Sequence, residues 1–164
     1  MALPRSAAAW ARRRAENVLA ALLVAMFLAF LVQIFMRYVM NAPVGWTSEV
    51  STLAWLWGIL WGAALVLRED EEIRLDLLYR AVPPWLRRAF DAVTGAAVVA
   101  VFSASLPAAH DYVAFMKVER SAFLGLRMDR VFSVYLVFAV AMIVRHGWIV
   151  ARSLLPALRR EPRP

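Results

Sequence analysis

The chain has 164 residues, 63% of them hydrophobic, a mean hydropathy of +0.62 and a formal net charge of +7. That much apolar surface cannot be hidden in the core of a soluble domain of this length, and basic residues that flank apolar runs serve membrane orientation rather than nucleic-acid binding. The absence of cysteine excludes disulfides, thiolate metal sites and quinone-linked dithiol chemistry.

Apolar windows run from Asn17 to Met36, Val50 to Leu67, Ala92 to His110 and Val131 to Val144, the last reaching Ala151 if Arg145 and His146 are tolerated. At about 1.5 Å per residue, each of the first three covers roughly a 30 Å hydrocarbon core. Hydrocarbon leaves the backbone only helix or closed barrel, and uninterrupted apolar runs cannot alternate lumen and lipid faces. The expectation is an all-α integral membrane protein, a single membrane domain over residues 1–164 with spans at about 17–38, 48–67, 89–110 and 131–152.

The first span follows Arg12, Arg13 and Arg14, as a secretory signal would. Its apolar run is too long for an h-region, and Arg37-Tyr38 follows it in place of an Ala-x-Ala site, so an uncleaved helix is expected. Asn41, Pro43 and Gly45 supply turn chemistry before Trp46. Thr47 or Ser48 is expected to cap the second helix, where Glu49 also suits the positive end of the dipole. Arg37 and Glu49 fall on the same membrane boundary, either as a pair or as two separately solvated charges.

Within the second span, Gly58 and Gly62 form Gly-x-x-x-Gly, continued by Ala63, a strip that lets another helix approach closely. Trp55, Trp57 and Trp61 lie unusually deep for a residue that favours interfaces. They suggest a rigid surface buried against protein; lipid-facing aromatics are the competing reading. The following loop opens with Glu69, Asp70, Glu71 and Glu72, then places Ile73, Leu77, Leu78 and Ala81 at roughly helical spacing before Pro83-Pro84 and Trp85. This predicts a short interfacial amphipathic helix at about 71–82. Four adjacent carboxylates cannot all point one way on a helix, so a solvated helix start is preferred to a cation site.

Pro107 is expected to kink or end the third helix just before a loop at about 111–130, the largest surface available outside the membrane. His110 beside Asp111 reads as an interfacial contact rather than a metal or acid/base pair. In the fourth span Arg145 lies about 10 Å from Arg152, within snorkelling reach of the headgroups; a buried inter-subunit ion pair is the alternative. The middles of the first three spans hold no ionisable group, and no phosphate loop, His-Glu-x-x-His or nucleophile elbow occurs. Thirteen of the Lys and Arg residues fall in the two termini and the second loop, against five in the first and third loops. Both termini are therefore expected in the cytoplasm.

These residues resemble the small membrane subunit, the Q or DctQ-type component, of tripartite ATP-independent periplasmic (TRAP) transporters. The resemblance rests on Arg37-Tyr38-Val39 with Pro43, Trp46 and Glu49, then Gly62-Ala63-Ala64, Arg68, Ile73, Asp76-Leu77-Leu78 and Pro83. A weaker echo is Ser121, Leu124-Gly125-Leu126 and Tyr135. Glu72 stands where the family often has His, and Arg127, Met128 and Asp129 replace a usually more apolar, Pro-containing approach to the fourth helix.

The resemblance implies sodium-driven uptake of an organic acid across the bacterial inner (cytoplasmic) membrane. A periplasmic solute-binding protein would deliver the solute, and a large membrane subunit would hold the solute and sodium ions. This chain would be a multi-pass scaffold among membrane lipids, with no cofactor of its own, no catalytic role and no nucleic-acid partner. Candidate subunit-interface residues are Arg37, Trp46, Glu49, Trp57, Gly58, Trp61, Gly62 and Arg145. The alternatives are a small integral membrane enzyme or assembly factor, using His110-Asp111 or the acidic cluster, and a self-contained exporter, which would be expected to place a carboxylate within a span.

Overall fold

The computed structural model describes residues 5–67 and 83–154. They form four helices: α1 (Arg5–Tyr38), α2 (Trp46–Trp61), α3 (Pro84–Phe115) and α4 (Met128–Leu154). A π-helical turn, Gly62–Val66, prolongs α2, and a 3-10 turn, Met116–Val118, follows α3. All four are long and apolar enough to cross a membrane, over Ala9–Tyr38, Trp46–Val66, Trp85–Val118 and Met128–Leu154. The expected amphipathic helix at 71–82 and the acidic cluster lie outside the described residues.

Hydrophobic burial is inverted relative to a soluble fold. Small residues such as Ala29, Ala54 and Ala139 are buried, whereas Phe27, Phe30, Val101 and Val144 are exposed. Lipid is as apolar as these side chains, so large ones gain nothing by turning inward and small ones let backbones approach.

The chain divides into two compact units, Met1–Leu67 with Ala109–Phe138, and Arg68–Ala108 with Ala139–Pro164. In the first unit, α1 and α2 form a hairpin. Thr47, Ala54 and Gly58 form the buried stripe of α2. Leu19 of α1 lies against Gly58 and Gly62, where an added Cβ would meet its methyls at 3.7 and 3.4 Å. The glycine strip thus serves packing within the chain. At the amino end of α1, Arg12 pairs with Glu16 one turn on at 2.7 Å.

Three local expectations are corrected. Neither Thr47 nor Ser48 caps α2: the cap residue is Gly45, and the Thr47 hydroxyl instead donates back to the Val44 carbonyl at 3.1 Å. Pro107 does not end its helix, since α3 continues to Phe115. Proline removes one bond to the carbonyl four residues back, but ending a helix in hydrocarbon would leave several backbone groups unmet. The third loop accordingly shrinks from 111–130 to the stretch between Val118 and Met128.

In the second unit, α3 and α4 approach closely at Gly95. A Cβ there would lie 2.7 Å from Val150 Cγ2 and 3.3 Å from the His146 carbonyl. The His146 ring lies 3.0 Å from the Met142 carbonyl through Nδ1, so Nδ1 carries the proton and donates.

Candidate functional site

The most organised polar site joins the α1–α2 turn to the α3–α4 connection. After Tyr38 the chain reverses through Asn41, whose φ of 49° lies in the left-handed region that asparagine tolerates. The Ala42 N–H bonds the Met36 carbonyl at 2.9 Å, closing this turn on α1. Gly45 then starts α2, and Glu49 occupies its first turn.

Facing it is a closed hairpin. Ser121 N–H donates to Leu126 O at 2.9 Å, Met128 N–H to Glu119 O at 3.0 Å, and Leu126 N–H to the Ser121 hydroxyl at 2.9 Å. Gly125, at φ 62°, makes the reversal possible without side-chain strain. Arg127 grips Asp129 through two nitrogens, at 3.2 and 2.7 Å, fixing the hairpin to the start of α4.

Glu49 joins the two parts. Its Oε2 accepts the N–H of Phe123 at 2.9 Å and of Leu124 at 3.1 Å. Successive amides turned toward one carboxylate oxygen form a small anion nest. Its other oxygen, Oε1, is shielded from solvent, and the Ser121 hydroxyl stands beside the same carboxylate. The Phe123 ring fills the space above Gly45, where any Cβ would overlap it. The carboxylate therefore bonds backbone rather than Arg37, and of the two readings left open by the sequence the pair is not formed. Arg37 instead lies over the Tyr38 ring, 5.9 Å from its centre.

The remaining candidates separate by location. Trp57 and Trp61 each donate the indole N–H to a backbone carbonyl of the chain itself, Val131 at 3.1 Å and Ala15 at 3.2 Å. Trp46 is exposed near the corner, and Arg145 is half-buried in α4. His110 and Asp111 approach only to 3.4 Å and are both open to solvent. The hairpin residues Phe123 and Leu124 were not anticipated as partners of Glu49, because a backbone amide carries no side-chain identity for sequence to reveal.

Two concave features accompany this corner. An apolar cleft of about 250 Å³ is lined by Leu56, Leu60, Tyr112, Val113, Phe132 and Tyr135, among others. A more open groove of about 510 Å³ lies between α1 and α2, lined by Met26, Phe27, Phe30, Ser51, Thr52 and Trp55. Neither presents a charged group.

No curated protein is significantly similar to the chain. Residues 26–155 match the model of the family described as "Tripartite ATP-independent periplasmic transporters, DctQ component".

Proposed function

Because the chain belongs to the DctQ family, the small membrane component of TRAP transporters, we propose that it is the static brace of a sodium-driven, binding-protein-dependent organic-acid importer. The family is a transporter component and not an enzyme family, and the four spans make the chain a multi-pass membrane protein. Its partners are the large membrane subunit, which takes the solute and sodium ions, and a periplasmic solute-binding protein. Both termini face the cytoplasm of a bacterial inner membrane.

The observation that carries the brace reading is how the polar groups of the spans are used. The Trp57 and Trp61 indoles and the Glu49 carboxylate are bonded to the chain's own backbone, tying α2 to α1, to α4 and to the hairpin. Groups committed in this way stiffen a scaffold, whereas solute binding needs polar groups that converge on a pocket. Among the interface candidates, exposed Trp46 and Arg37, whose contact among the described residues is its aromatic neighbour Tyr38, remain available to a partner subunit.

Reconstitution of the chain alone and together with its partners tests the proposal. Uptake is expected only when all components are present, with no specific solute binding by the isolated chain. Transport or specific binding by the isolated chain would overturn it.

A further inference from the structure

Three tryptophans lie deep in α2, and they are not equivalent. Trp57 and Trp61 are satisfied by carbonyls of α4 and α1. Trp55 stands about 200° round the helix from Trp57. It is 56% exposed, and its indole N–H has no hydrogen-bond partner among the described residues.

Its depth makes this consequential. The span containing it, Trp46–Val66, is 21 residues long, and Trp55 lies one position from its centre. At about 1.5 Å per residue it is roughly 13 Å from Trp46, too deep for lipid ester carbonyls when the hydrocarbon core is about 30 Å thick. One turn earlier on the same flank, the Ser51 hydroxyl is shielded from solvent and also lacks a partner. Both side chains line the groove between α1 and α2, whose far wall is formed by exposed Phe27 and Phe30. Acyl chains can fill such a groove, but they carry nothing that accepts a hydrogen bond, and an unmet polar group in hydrocarbon is costly.

We propose that the α1–α2 groove receives a transmembrane helix of the large subunit that presents a hydrogen-bond acceptor to Trp55 at mid-membrane depth. The Phe27 and Phe30 rings flank the incoming helix. This rests on the reading of the chain as a TRAP small subunit. It places the partner on the flank of α2 opposite the internally committed Trp57.

The test uses the intact complex in membranes. A photo-crosslinking residue is placed at Phe30 or Thr52 in the groove, or at the exposed control positions Val101 and Val144 on α3 and α4. Adducts with the large subunit, identified by mass, are expected from 30 and 52 and not from the controls. Trp55→Phe, which keeps an aromatic ring and removes the N–H, is expected to weaken association about tenfold, while Trp57→Phe leaves it within about twofold. If the wild-type chain copurifies with the large subunit but positions 30 and 52 yield only lipid adducts, or Trp55→Phe associates normally, the groove assignment is wrong and the proposed function stands. If the wild-type chain associates with no large subunit, both fall.

Discussion

Glu49 holds backbone lying 74 and 75 residues further along the chain, so its replacement should be felt in the hairpin rather than in α2 alone. Glu49→Ala is expected to lower thermal stability and expose the hairpin to proteolysis. Glu49→Gln retains an acceptor oxygen and should be the milder change. Because Arg37 lies over the Tyr38 ring and not against Glu49, a thermal double-mutant cycle of Arg37→Ala and Glu49→Ala should be additive within about 0.5 kcal/mol; a larger coupling would mean that the two charges pair after all. Gly45→Ala sets a methyl against the Phe123 ring and should destabilise by about 1–3 kcal/mol, the usual range for overpacking. That Glu49 matters was legible from its place at the membrane boundary and in the family pattern. What it bonds was not, since side-chain charges only left open a pair with Arg37, and the donors include two backbone amides that any residues could supply.

At the scale of elements, glycines decide where helices meet. Gly62→Leu should separate α1 from α2 at Leu19 and destabilise the detergent-solubilised chain by about 1–3 kcal/mol while leaving membrane insertion intact. Unchanged melting would show that Leu19 simply moves aside. Gly95→Leu should act likewise on the α3–α4 contact, because Val150 and a backbone carbonyl stand within contact distance. Trp57→Phe, by contrast, loses one indole bond to a carbonyl and should cost about 0.5–2 kcal/mol. Gly58 and Gly62 were readable as a close-packing pair from their four-residue spacing. Gly95 escaped notice as a single glycine in an alanine-rich run, where only the partner helix reveals its purpose. Of the two readings of Pro107, a kink or an end, the end does not occur, because rules for helix ends learned in water weaken where the alternative is bare backbone in lipid.

For the whole molecule, the four spans were legible because an apolar run of membrane length has few other uses, and the structure lengthens rather than moves them. The charge asymmetry adds an orientation that labelling can check. The chain has no native cysteine, so Arg13→Cys and Val118→Cys each provide a single thiol. A membrane-impermeant maleimide added to intact cells should react at 118 and reach 13 only after permeabilisation. The reverse pattern would invert the topology and place the Glu49 corner on the cytoplasmic side.

The π turn at Gly62–Val66, closed by Leu67 N–H on the Gly62 carbonyl at 2.8 Å, also bears on how this helix tolerates changes in length. A single wide turn accommodates one residue more than the α-helical ladder requires. Deleting Ala63 or Ala64 should therefore let the turn close into ordinary α-helix and leave Trp57 and Trp61 on their carbonyls, because both precede it. The same deletion at Leu56 would rotate everything beyond it by about 100°, swinging both Trp57 and Trp61 off their carbonyls. Along α2, the reading frame of side-chain directions is thus elastic at one end and rigid at the middle.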